Sequence, residues 1–173
     1  MTNSYSAQPY NIEAVGFYFT DYEEYQARSK GLTDRFGQLV EEFEIEFIDG
    51  DTLTSKLFNE LEIRQGSLEE WFEKFEGMES CKLLAACYLA WNGHFFGEIL
   101  DAPLEDFSFL ECTPEDYARD YIDSSGLLAD MPESLHSYLD YKAFGRDLVL
   151  NGNITEWKSP DGIQYVVIEP LSW

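Results

Sequence analysis

Basic side chains are scarce in this sequence, and their scarcity excludes two classes of partner. Eleven Lys and Arg residues stand against 34 Asp and Glu residues, which gives a formal net charge of -23. Proteins that bind nucleic acids use Lys and Arg to replace the counterions around the phosphates. We therefore expect the chain to bind neither nucleic acid nor an anionic membrane surface.

Cysteines and long apolar runs are also few. The three cysteines, Cys81, Cys87 and Cys112, show no CxxC spacing. We therefore expect reduced thiols without a disulfide or a zinc site, as in a cytoplasmic protein. The longest apolar run, residues 83–91, is about half as long as a membrane span. Residues 1–10 lack the basic and apolar regions of a signal peptide, so we expect none there.

Sequence motifs of catalysis are missing as well. His94 and His136 lie far apart without a ligand-spaced partner, and the sequence has no HExxH, GxSxG, P-loop or GxGxxG pattern. The Asp49-Gly50-Asp51 segment is too short for an EF-hand loop. We therefore expect no catalytic residue, no metal ion and no cofactor. A small enzyme that uses carboxylates for acid catalysis stays an alternative without an identifiable site.

The sequence is rich in negative charge, yet its content of aromatic residues is typical of a folded protein. Aromatic residues make up 16% of the chain, which is more than disordered chains contain. The charge is not confined to a tail. Residues 1–64 hold 13 acids and 5 bases, residues 65–112 hold 10 and 2, and residues 113–173 hold 11 and 4. Adaptation to high salt is a further alternative, but the aromatic content makes it less attractive.

Hydrophobic periodicity predicts strands and helices in the first part of the chain. Residues 12–20 are apolar and β-prone, and residues 43–47 alternate with period two, so both favour strands. Helices are predicted over residues 22–30, after an Asp21 cap, and over residues 54–63. Residues 1–11 are expected to form a loose arm.

Capping signals predict helices in the remainder. Ser67 and Glu70 have the spacing of a capping box, and an apolar helix is predicted over residues 80–91. Residues 94–112 are expected to form short helical turns. The Thr113-Pro114 pair begins another helix, Asp140 caps the next one, and the chain ends in two predicted strands.

The acidic residues follow the periods of these elements. Side chains two residues apart on a strand lie about 6.6 Å apart on one side, and those four apart on a helix are about 6 Å apart. Three rows of like charge result: Glu42, Glu44 and Glu46; Glu69, Glu73 and Glu76; and Asp116, Asp120 and Asp123. Each helical row has one base nearby, Lys74 or Arg119, whereas ordinary helices relieve repulsion with Lys at i+4.

A solvated polar face would explain any one of these rows. Three rows whose repulsion is hardly neutralised by basic side chains indicate that the function of the protein requires the negative electrostatic field. A basic groove that binds DNA would recognise such a field. B-DNA carries one charge per about 1.7 Å of its axis, so a charge of -23 corresponds to roughly 39 Å of duplex. The charge is therefore compatible with mimicry of DNA.

The C-terminal third carries a family resemblance. The segment YARDYIDSSGLLADMPESL (residues 117–135), the segment YLDYKAFGRDL (residues 138–148) and Asn151-Gly152 resemble the ArdA antirestriction proteins in both pattern and order. About 55 residues match well. Residues 16–19 are similar to the family's G-x-W-F/L strand, and residues 41–61 are similar to its acidic strand with the following helix. Residues 4–10 stand in place of the family's usual N-terminal hairpin.

The resemblance implies an α+β fold of three small domains in an elongated, DNA-mimic shape. These are a mixed α/β domain (residues 1–64), a helical domain (65–112) and an α/β domain (113–173). It implies a cytoplasmic protein of mobile elements or phages that occupies the DNA groove of type I restriction–modification enzymes, at their methyltransferase–specificity core. An inhibitor of another phage-defence complex, such as an anti-CRISPR-like protein, is the alternative.

The resemblance also suggests which residues meet a partner. The expected DNA-mimic surface consists of acidic residues: Glu42, Glu44, Glu46, Asp49, Asp51, Glu69, Glu70, Glu73, Glu76, Asp116, Asp120, Asp123, Asp130 and Glu133. The family's antirestriction motif falls on residues 126–140 and implies a homodimer. Its expected interface is apolar: Leu127, Leu128, Met131, Leu135 and Leu139. Burial inside their own domain is the alternative for each of these five.

Overall fold

A computed structural model describes residues 2–129 and 131–171. The predicted α+β class is confirmed, since helices accompany two three-stranded sheets. The chain divides into two compact units, residues 1–102 and residues 103–173. Across the described residues, no helix has the length and apolar character needed to cross a membrane.

The first unit contains an antiparallel sheet and five helices. The strands are β1 (Ser4–Pro9), β2 (Phe17–Phe19) and β3 (Phe43–Asp49), in the order β2-β1-β3. The helices are α1 (Tyr22–Ser29), α2 (Thr52–Glu60), α3 (Leu68–Lys74), α4 (Ser80–Trp91) and α5 (Phe96–Leu100). The predicted helices over residues 22–30, 54–63 and 80–91 and the strand over residues 43–47 are confirmed within a few residues.

The expectation of a loose N-terminal arm is wrong, because β1 is the central strand of this sheet. Tyr5 and Ala7 are fully buried, while Ser6 and Gln8 point the other way along the pleat. The strand alternates buried and exposed residues, but Tyr5 is its only large apolar side chain apart from Pro9. Its sequence therefore does not look like a strand. The strand predicted over residues 12–20 is correct only for β2, since residues 12–16 form a loop.

The capping box predicted at Ser67 is also wrong. Residues Gln65–Ser67 form a 3-10 turn in front of α3, and the Ser67 hydroxyl accepts a hydrogen bond from the Arg64 amide at 3.1 Å. Ser67 makes no side-chain cap to α3. The Ser-x-x-Glu spacing is present, but the Ser67 hydroxyl is hydrogen-bonded to Arg64 in the preceding turn and does not cap α3.

Aromatic packing joins α3 to the sheet. The Trp71 indole nitrogen donates a hydrogen bond to the Tyr5 hydroxyl at 3.0 Å, and both side chains are fully buried. The Tyr5 ring also contacts four phenylalanines: Phe19, Phe47, Phe58 and Phe72. The boundary predicted between residues 64 and 65 therefore lies within a shared core, and the division into three domains stays a prediction.

The second unit has the sheet β4 (Ser108–Leu110), β6 (Gln164–Ile168) and β5 (Thr155–Lys158), in that order. Its helices are α6 (Pro114–Ser125), α7 (Glu133–His136) and α8 (Tyr141–Leu150). The Thr113 cap, the Asp140 cap and the final strand pair are confirmed. The short helical turns predicted within residues 94–112 are confirmed as α5 and the 3-10 turn Leu104–Asp106, whereas β4, which pairs with β6, was not predicted.

Close packing of α6 on α8 gives the second unit its helical layer. Gly145 lies at the contact, and a Cβ atom there would collide with the Pro114 carbonyl. The glycine is needed because the collision is with backbone, which cannot rotate away as the end of a side chain can.

Candidate functional site

The first acidic row lies on β3 and on the residue before it. Glu44 and Glu46 are exposed, while Phe43 and Ile45 between them are buried, so alternation places the acids on the outer face. Glu42 is exposed directly before the strand. The Ser6 hydroxyl on β1 contacts the Glu46 carboxylate at 3.3 Å. This face therefore combines a line of carboxylates with small polar side chains.

A groove of about 560 Å³ borders this row on β3. Buried Phe43 and Ile45 belong to its lining, as do the exposed carboxylates of Glu42, Glu44 and Glu62. An apolar lining beside several carboxylates suits a Lys or Arg side chain, whose aliphatic stem packs on apolar atoms while its head stays polar.

The stripe predicted on α3 is wrong at one position. Glu69, Glu70 and Glu73 are exposed, but α3 ends at Lys74 and Glu76 lies beyond it, half-buried. The Glu76 carboxylate accepts hydrogen bonds from the Tyr5 hydroxyl at 2.5 Å and from the Asn3 amide at 2.9 Å. Burial raises the pKa of Tyr5, and its hydrogen bond to Glu76 acts in the same direction. Glu76 therefore stabilises the first unit and is not part of the surface row.

The third row lies on α6 and is fully exposed. Asp116, Asp120 and Asp123 lie on the solvent side, whereas Ala118 and Ile122 are buried. Asp116 also closes a capping box, since its carboxylate accepts the Thr113 amide at 3.3 Å and its amide donates to the Thr113 hydroxyl oxygen at 3.2 Å. Hydrogen bonds from the Thr113 side chain and backbone hold the pKa of Asp116 below its usual range, so this carboxylate stays charged.

The one base of α6, Arg119, contacts Tyr141 and Glu115, and its charge also helps to lower the pKa of Asp116. The Arg119 guanidinium lies 4.4 Å from the centre of the Tyr141 ring and 3.7 Å from the Glu115 carboxylate. On α3, Lys74 pairs with Glu73 at 2.9 Å. The α6 row is therefore partly relieved at Asp116, as the α3 row is at Glu73.

The other predicted acids of this surface occupy varied positions. Asp49 ends β3, and Asp51 caps α2 by accepting the Thr54 amide at 2.8 Å. Glu133 is exposed in the first turn of α7. Asp130 lies outside the described residues. Thus twelve of the fourteen predicted acids are exposed: Glu42, Glu44, Glu46, Asp49, Asp51, Glu69, Glu70, Glu73, Asp116, Asp120, Asp123 and Glu133.

The apolar segment of the second unit is not a closed core within its own chain. The side chains of Leu127 and Leu135 are 60% and 48% exposed. Leu128, Met131 and Leu139 are half-buried. The alternative of burial inside the domain therefore fails for Leu127 and Leu135.

Sequence reasoning missed two features near the acidic rows. The first is the part played by Ser4–Pro9, whose outer face adjoins Glu44 and Glu46 through the pairs Gln8–Glu44 and Ser6–Glu46. The alternation of Tyr5 and Ala7 with polar residues was the available signal. The second is Glu62, which lines the groove with a left-handed backbone (φ 48°). No pattern in the sequence indicated that conformation.

The described residues offer little that resembles a catalytic or metal centre. Within ranges 2–129 and 131–171, no cluster of three or more His, Cys, Asp or Glu side chains is arranged to hold a metal ion. The His94 ring lies 3.5 Å from Glu98, and the His136 ring lies 3.2 Å from the Met131 carbonyl. Each histidine thus contacts its own local segment.

The chain matches a known protein family over most of its length. The family described as antirestriction protein (ArdA) matches residues 5–160, which is most of the chain. No curated protein matches the chain.

Proposed function

Because the chain belongs to the ArdA family of antirestriction proteins, we propose that it inhibits type I restriction–modification enzymes by occupying their DNA groove as a mimic of DNA. The methyltransferase–specificity core is the proposed binding partner. The chain acts in this proposal without catalysis, and its place of action is the cytoplasm, where such enzymes meet incoming DNA.

The exposed row on α6 is the observation that carries this proposal. Three carboxylates share one face, and the single base of the helix is bound to Glu115 and Tyr141. Like charges at this spacing destabilise a helix by a few tenths of a kcal/mol per pair. A basic groove offsets that repulsion, as it does for the phosphates of a duplex.

The row on β3 supports the same reading in the first unit. Its carboxylates alternate with buried residues, and the groove beside them suits a basic side chain. Neither row has the geometry of a chemical site. Both rows present a regular series of exposed negative charges, which is the feature that a DNA-binding groove recognises.

A homodimer forms the second part of the proposal. Two bodies with a charge of -23 each repel one another, so their contact has to be apolar. The exposed side chains of Leu127 and Leu135 meet that requirement, together with half-buried Leu128, Met131 and Leu139. Burying one leucine contributes about 1.5–3 kcal/mol.

Cleavage of unmodified DNA by a purified type I enzyme tests the proposal. With the chain present, we expect cleavage to stop, and we expect added salt to restore it. A type II endonuclease, which has a different groove, is the control. If type I cleavage is unaffected while the chain captures another defence complex in a salt-sensitive manner, the alternative target is correct.

A further inference from the structure

The first unit presents an apolar surface that the acidic rows do not account for. Five large side chains on two loops are 65–92% exposed: Tyr10, Ile12, Val15, Phe36 and Leu39. One loop joins β1 to β2, and the other lies between α1 and β3. We call these residues the two-loop platform. Single exposed apolar residues are ordinary, but several on adjoining loops mark an interaction site.

Hydrogen bonds fix the two loops against each other. The Asp34 carboxylate is buried and accepts the amides of Phe36 and Gln38 at 2.9 Å each, while the Asn11 side chain reaches its second oxygen at 3.1 Å. Arg35 binds Glu13 through two nitrogens, at 2.6 and 2.7 Å. The platform is therefore preorganised, and binding to it requires little ordering of the loops.

The two platform loops, residues 10–16 and 30–42, carry four acids and two bases: Glu13, Asp34, Glu41 and Glu42, with Lys30 and Arg35. Residues 1–40 hold five acids and three bases, whereas residues 41–102 of the same unit hold 15 acids and four bases. On the platform loops, the Glu13 charge is matched by Arg35. A strongly charged partner surface would lose its hydration here without compensation. The charge therefore favours a partner surface that is apolar and weakly charged.

The platform also adjoins the acidic row on β3. The Tyr10 amide donates to the Glu42 carbonyl at 3.3 Å, and Tyr10 lines the groove together with Glu42 and Glu44. A protein seated on the carboxylates of β3 therefore meets Tyr10 next. Self-association through the platform would bring the adjoining carboxylates of Glu42 and Glu44 from two copies close together, which opposes it at this place.

We propose that the two-loop platform docks on an apolar, weakly charged protein surface that borders the basic groove of the target enzyme. This inference rests on the proposed function. The carboxylates are attracted electrostatically to any basic groove. The platform adds an apolar contact that duplex DNA does not make. The platform therefore distinguishes the intended target from other DNA-binding proteins.

Binding of the purified chain to a purified type I enzyme, measured at low, physiological and high salt, tests the inference. Ile12→Ser and Phe36→Ser remove platform side chains, and Phe95→Ser is the matched control, because Phe95 is 76% exposed elsewhere in the unit and Phe36 is 68% exposed. We expect each platform variant to bind about tenfold more weakly at every salt concentration. The salt slope and the circular dichroism spectrum should be unchanged, and Phe95→Ser should bind as the wild type.

Three outcomes overturn the inference. If the wild type binds with a steep salt slope and the platform variants bind equally well, the platform is not a contact and the proposed function stands. If the wild type does not bind the enzyme at all, the proposed function and this inference fail together. If the wild type self-associates and the platform variants do not, the occupant is a second copy of the chain.

Discussion

The Arg119 guanidinium lies over the Tyr141 ring, 4.4 Å from its centre, and this contact joins the only base of α6 to the start of α8. The side chain also reaches Glu115 one turn earlier. Arg119 thus links the two helices, and its charge adds to the Thr113 hydrogen bonds that lower the pKa of Asp116 in the acidic row on α6.

Arg119→Gln distinguishes the contribution of the Tyr141 contact to stability from the effect of the Arg119 charge on inhibition. Loss of the ring contact should lower the free energy of unfolding by about 1 kcal/mol, measured by urea denaturation. The added negative charge should leave inhibition intact or strengthen it at low salt. Arg146, which pairs with its neighbour Asp147 at 3.4 Å, provides the control. Arg146→Gln makes the same charge change, and a loss of stability as large as that of Arg119→Gln would contradict the account.

Neutralising the row on β3 should weaken inhibition in steps. Each exposed charge contributes about 0.5–1 kcal/mol to a complex, so three together predict a loss of roughly tenfold or more. The test set replaces three glutamates by glutamine: Glu42, Glu44 and Glu46. The control set makes the same charge change at exposed sites outside the rows: Glu23, Glu60 and Glu79.

Binding constants for the single, double and triple variants of each set decide this prediction. A progressive loss in the β3 set and a smaller one in the control set are expected. If a single glutamine abolished inhibition in a folded protein, a chemical role for that carboxylate would replace the mimic account.

Stability at low pH should depend on Asp34. Backbone hydrogen bonds from Gln38 and Phe36 hold its pKa below the usual range. A lowered folded-state pKa stabilises the protein above the unfolded value of about 3.9, and that stabilisation disappears as the pH falls through the folded-state pKa. The wild type should therefore exceed Asp34→Asn in stability at neutral pH, and the difference should shrink below about pH 4.

Thermal unfolding of both proteins between neutral and acidic pH measures this difference. A gap in melting temperature that stays constant over the whole range would show that the Asp34 charge does not stabilise the loops.

The apolar segment of the second unit should control assembly. Leu127→Ala combined with Met131→Ala should lower the mass measured by light scattering while circular dichroism is retained. The variant lacks two side chains that the proposed dimer would bury, and burying each contributes about 1.5–3 kcal/mol. Lower salt should also favour the monomer, since screening of the repulsion is reduced. Leu150→Ala is the control, because Leu150 is 75% exposed on α8, outside the segment. A wild type that is monomeric at every salt concentration would exclude the dimer.

Local signals in the sequence predicted much of the fold. The helix over Ser80–Trp91 has apolar residues on most sides, and the Thr113-Pro114 pair marks the start of α6 without ambiguity. The central strand β1 was missed because Ser4, Ser6 and Gln8 occupy its outer face. A strand with small and polar residues becomes recognisable only when its partners β2 and β3 are known.

The sequence predicted the acidic residues that lie within regular strands and helices. It did not predict those that lie beyond the end of an element. Spacing alone placed Glu44 and Glu46 on one face. Glu76 has suitable spacing too, but it follows the end of α3 and meets Tyr5 and Asn3, which lie more than 70 residues away in sequence. The two-loop platform was hidden for the same reason, since its loops are joined by Asp34 and Arg35 across long sequence separations.

Competition between the chain and a labelled DNA duplex for a purified type I methyltransferase core tests the central claim most directly. The account predicts that the chain displaces the duplex, that its apparent affinity falls steeply as salt rises, and that the chain alone does not bind the duplex. A ternary complex of enzyme, duplex and chain, a complex with the enzyme that survives molar salt, or direct binding of the chain to DNA would contradict the account.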